Sequence, residues 1–168
     1  MTKNLISDWI QDAFTDNLSE VAALTIRADG TIANGASVRQ SAWSQNATGA
    51  LQLLIGALDR TVSQLSRGEN KDLKFVAFMG GDYARGVAGH FHALLQFPSK
   101  ADKQAFINDF ERLWSIKASD ALKTTLKTSV YAEPIQSKEA FSAYCQRYEG
   151  TTFGGGSEKV VMSRSLRL

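Results

Sequence analysis

The stretch His90-Phe91-His92-Ala93-Leu94-Leu95-Gln96-Phe97-Pro98 restricts the fold of this chain more than any other. An apolar run closed by proline reads as a strand, whose side chains alternate between two faces. His90, His92, Leu94 and Gln96 then share one face, and Phe91, Ala93, Leu95 and Phe97 share the other. The second face is apolar throughout and suits helices packed against it. The first carries the only two histidines of the chain, one residue apart and aimed the same way. Two imidazoles held like this form half of a metal site.

The neighbouring segments supply partners for such a strand. Leu73 to Met79 is apolar enough for the middle of a sheet, and Gly80-Gly81-Asp82-Tyr83-Ala84-Arg85-Gly86 turns it back into the histidine strand as a hairpin with a long loop. Val21 to Arg27 and the alternating residues before Pro134 read as further strands, and Val160-Val161-Met162 as a short last one. Helical spacing over residues 3–15, from Gln40 to Leu65 and from a cap at Ser99 to Trp114 predicts three helices. Ser137 caps a fourth, running from Lys138 to Glu149 and ended by Gly150. This order predicts one α+β domain over residues 1–168, a central antiparallel sheet flanked by helices.

Composition narrows the functional classes. A net charge of +2 argues against indiscriminate binding to nucleic acid, although a local basic surface remains compatible with it. The single Cys145 allows no internal disulfide. No apolar run reaches the roughly 18 residues of a membrane span, and no signal-peptide core is found, so a cytoplasmic protein is expected. Gly154-Gly155-Gly156 lacks the basic residue of a phosphate loop.

A second constellation lies on the predicted helix over 138–149. Tyr144 and Tyr148 are four residues apart and share a helical face, with Arg147 beside them. A phenol has a pKa of about 10, so it attacks a phosphate only with a polarised electrophile or a nearby cation. Taken singly, the histidines read first as ordinary sheet residues and the tyrosines as core aromatics, continuing a stripe with Phe141 and Cys145. It is the joint occurrence and the order that point to chemistry.

Together, His90-Phe91-His92-Ala93-Leu94-Leu95 and Tyr144-Cys145-Gln146-Arg147-Tyr148 resemble the two motifs of the HUH endonucleases, in particular the rolling-circle replication initiators. Leu24-Thr25-Ile26 resembles that family's weak first strand motif. The resemblance implies that His90 and His92 hold Mg²⁺ or Mn²⁺, with Asp82 as the nearest candidate for a third ligand and Gln96 as a second candidate. It implies that Tyr144 attacks a phosphate of single-stranded DNA or an origin hairpin, forming a 5′-phosphotyrosine and freeing a 3′-hydroxyl. Arg147 would orient the DNA or stabilise charge, Tyr148 would serve a second transfer, and unwinding would fall to a host helicase. Three other readings stay open. They are a single-strand transposase of the same superfamily, a cupin, which the long helical patterns argue against, and a non-catalytic module stacking bases on Tyr83 or Tyr131.

Overall fold

The computed structural model describes residues 5–29, 50–80, 90–141 and 160–167. Its described elements follow the alternation of apolar patterns along the chain. They are α1 (Leu5–Ala13), β1 (Val21–Asp29), α2 (Ala50–Leu65), β2 (Lys74–Gly80), β3 (His90–Gln96), α3 (Lys103–Leu122), β4 (Lys127–Pro134) and β5 (Val160–Met162). The sheet order is β4-β1-β3-β2-β5, and every pairing is antiparallel. The histidine strand β3 is therefore central. Its register sets Ile26 opposite Phe91 on one side and Gly80 opposite His90 on the other.

The two faces of β3 are covered differently, as its alternation requires. Phe91, Ala93, Leu95 and Phe97 join Leu24, Ile26, Phe75, Ala77 and Val130 in the larger apolar core, beneath α2 and α3. Phe91 meets Trp114 edge to face at 6.1 Å between ring centres, and Phe97 meets Phe106 at 5.9 Å. Leu94 joins a smaller core on the opposite face with Val76 and Phe78, covered by Ile10 and Phe14 of the α1 region, Phe141 and Leu166. Burying one such side chain contributes roughly 1.5–3 kcal/mol, so both faces matter to stability. The outcome is the antiparallel sheet with flanking helices expected from the sequence.

Two lysines bind carbonyls at the C-terminal end of α1, Lys74 from β2 and Lys138 from the helix capped by Ser137. Lys138 is buried and donates to the carbonyls of Gln11 at 2.6 Å and Phe14 at 3.0 Å, while its charge meets Asp16 at 2.7 Å. Lys74 donates to the carbonyl of Ala13 at 2.7 Å. A cation here meets carbonyls of the last helical turn, where intrahelical donors run out, and complements the helix dipole.

Residues 160–167 close the far edge. Val161 pairs with Ala77, the Ser163 amide donates to the Phe75 carbonyl at 2.9 Å, and the Phe75 amide donates to the Ser163 hydroxyl at 3.0 Å. Ser165 also donates to the Leu73 carbonyl.

The helix α3 differs from expectation at both ends. The cap of α3 is Asp102, whose carboxylate accepts from the Ala105 amide at 2.8 Å; Ser99 instead donates its amide to Asp72 at 3.0 Å. The helix runs past Trp114 to Leu122 and ends with Lys123 in the left-handed region, at φ 54°. The Ser137 cap is present, its hydroxyl accepting from the Ala140 amide at 3.0 Å. Of the helix expected from Gln40, residues before 50 lie outside the described residues, as do 142–149 of the helix after Ser137.

Candidate functional site

The ring centres of His90 and His92 are 4.2 Å apart, with their planes at 80°. This closeness follows from their parity on β3, and the strand's central place in the sheet fixes it. His92 is buried and His90 half-buried. Burial, followed by the charges of His90 and Arg27, lowers the His92 pKa from 6.5 to about 3. His92 is therefore neutral at physiological pH, which is the form of imidazole that ligates metals.

Rows across the sheet name the neighbours. His92 lies opposite Thr25 on β1 and Phe78 on β2, and Thr25 lies opposite Tyr131 on β4. Directly paired residues point to the same side, so Tyr131, Thr25, His92 and Phe78 form one row on the histidine face. Arg27, opposite Ser129, belongs to the next row out and is exposed. The α1 region covers the Leu94 half of this face. On the other half, Ser129 and Tyr131 are also exposed.

The two imidazoles suit one divalent ion shared between them, since each ligating nitrogen would stand about 2.1 Å from it. Imidazole nitrogens match a first-row transition ion better than Mg²⁺, which prefers oxygen. Among the described residues no third His, Cys, Asp or Glu completes a group of three. Asp82 lies outside the described residues, and so do Tyr144, Arg147 and Tyr148. Gln96 is excluded as the alternative third ligand. It lies four residues along β3 from His92, and its side-chain oxygen accepts from the Thr15 amide at 2.9 Å, tying β3 to the chain after α1.

Arg27 was not legible as a neighbour of the histidines. The parity of Leu24, Ile26 and Ala28 places Thr25, Arg27 and Asp29 on the opposite face of β1, but nothing in the pattern says that β1 pairs with β3. A cleft of about 510 Å³ lies elsewhere, lined by Leu18, Val21, Phe97, Lys103, Glu133 and neighbours. Neither histidine reaches it, so we do not assign the chemistry there.

Compared with known proteins, the chain matches no family model, no curated protein and no solved structure.

Proposed function

We propose that this chain is an HUH-type, metal-dependent nuclease and strand transferase that nicks and rejoins single-stranded DNA to start rolling-circle replication of a plasmid, phage or related mobile element. The single observation that carries this reading is the His90–His92 pair, side by side on the central strand of an antiparallel sheet. A second observation supports it. The helix capped by Ser137 starts on the histidine side of the sheet, because Phe141 is buried in the same cluster as Leu94. In the helix the sequence predicts, Tyr144 and Tyr148 follow Phe141 by three and seven residues and so share its stripe.

The roles follow from the chemistry of each group. His90 and His92 hold the ion, with Asp82 as the candidate third ligand. Mn²⁺ or Mg²⁺, when bound, draws charge from the phosphate oxygens. The Tyr144 oxygen forms a bond to phosphorus and gives up its proton, and the bond to the 3′-oxygen breaks. That oxygen takes a proton and leaves as a free 3′-hydroxyl, while the 5′ side stays on the tyrosine. Arg147 neutralises charge on the phosphate, and Tyr148 offers a second acceptor for the return transfer. No helix among the described residues is long and apolar enough to cross a membrane, and replicating DNA locates the activity in the cytoplasm. Unwinding would fall to a host helicase.

The test incubates the full chain with a randomised single-stranded DNA pool and Mn²⁺ and looks for covalent adducts on a denaturing gel. An adduct is expected with the wild type and none after Tyr144→Phe with Tyr148→Phe. Absence of the wild-type adduct, or its persistence in the double variant, overturns the reading. His90→Ala with His92→Ala should remove cleavage and leave DNA binding largely intact.

A further inference from the structure

Among the described residues Tyr131 is the most exposed large hydrophobic side chain, at 63%, while its neighbours in sequence, Val130 and Ala132, face the helix-covered core. The ring is exposed on the same sheet face as the two histidines, two strands away from them. The ring stands at the end of the row that runs through Thr25 to His92. Two strand spacings of about 4.8 Å put it roughly 10 Å from His92, the reach of about three stacked nucleotides at about 3.4 Å each.

Arg27 lies in the adjoining row, between Ser129 and the histidine end of β3. Its backbone is held by the Trp114 indole at 2.8 Å, and its guanidinium meets no carboxylate at ion-pair distance among the described residues. Of the other charges along this edge, Asp29 lies opposite Lys127 in the ladder, and Glu133 lies opposite Ala23, toward the α1-covered half. A flat ring, an exposed guanidinium and a hydroxyl at Ser129 on the face of the histidine pair match the base, the phosphate and the sugar of one nucleotide.

We propose that Tyr131 is a stacking platform for a base of single-stranded DNA near the histidine pair, with Arg27 on the adjoining phosphate. This inference rests on the function proposed above. Both residues position DNA, and neither reacts.

The experiment measures binding of the full chain to short single strands in EDTA, where no cleavage occurs. 2-Aminopurine is placed at each position in turn. Tyr131→Ala should weaken binding roughly 5- to 150-fold, the range of base–aromatic stacking, and remove the fluorescence quench at one position. Tyr131→Phe should keep both, and Arg27→Gln should weaken binding and flatten its salt dependence. Equal affinity in Tyr131→Ala overturns the platform, and so does a loss in Tyr131→Phe as large as in Tyr131→Ala. Self-association lost in Tyr131→Ala, read by sedimentation, also overturns it by assigning the ring to a second copy of the chain. A wild-type adduct with no Tyr131 dependence leaves the nicking reading standing alone. Binding that depends on Tyr131 without any adduct leaves the platform and removes the nicking. A wild type that binds no single strand overturns both.

Discussion

The indole nitrogen of Trp114 donates to the backbone carbonyl of Arg27 at 2.8 Å, just where β1 has run past its last pair with β3 at Ile26 and Phe91. A buried helix residue thereby fixes the end of a strand whose opposite face neighbours the histidines. Trp114→Phe keeps most of the ring's packing on Phe91 and loses the hydrogen bond, so it should cost about 1 kcal/mol. Trp114→Ala opens a cavity and should cost about 3–5 kcal/mol. Urea denaturation followed by circular dichroism measures both.

Metal binding has a readout that is independent of cleavage. Mn²⁺ at a hundred times its dissociation constant should raise the unfolding free energy by about 2.7 kcal/mol. The increase should vanish after His90→Ala with His92→Ala. Calorimetric titration of the single variants should show affinity falling at least about tenfold, or 1.4 kcal/mol. A thermal shift that survives the double variant would place the ion elsewhere.

Lys138 serves the carbonyls of α1 more than its carboxylate partner. Asp16 is almost fully exposed, whereas Lys138 is buried. Lys138→Ala leaves the carbonyls of Gln11 and Phe14 without their donor and should destabilise by about 1–3 kcal/mol, with α1 the first element to lose amide protection. Asp16→Asn should have little effect at neutral pH, because an exposed carboxylate gains little from its ion pair.

The buried His92 makes metal-free stability depend on pH in a defined window. Its folded pKa of about 3 lies below the unfolded value of 6.5, so between these values the unfolded chain binds the extra proton. Stability from this group is fully present above pH 6.5 and declines as pH falls toward 3, by up to about 1.4 kcal/mol per unit. The lowered pKa values of Asp16 and Asp72 act only below about pH 3.8. Denaturant midpoints between pH 7 and 5 should therefore fall less steeply in His92→Gln than in the wild type.

The strands were legible because alternation is a strong signal: Phe91, Ala93 and Leu95 meet helices as their parity requires. The true length of α3 was not. Beyond Trp114 its buried face depends on Ala118, while Ile116 is 45% exposed, so the apolar stripe thins where the helix continues. It ends on Lys123 in place of a glycine, and no composition signal marks that stop. The histidine pair was read as it stands, but pattern alone assigns no strand neighbours. The nearness of Arg27 to the histidines therefore shows only in the register of β1 with β3, and Lys138, a buried lysine, gives no sign in sequence of the three groups it meets.

The fastening of β2 by residues 160–167 bears on the order in which the chain assembles. Phe75 and Ser163 are 88 residues apart, whereas β2 and β3 join as neighbours through the loop between them. Closing the longer loop costs more chain entropy, and the cost is repaid only once the core exists to dock against. The outer edge of β2 should thus stay open through most of folding, with the apolar Phe75, Ala77 and their backbone groups available to another chain. A nascent or nicked protein lacking its last strand would be the form most prone to aggregate.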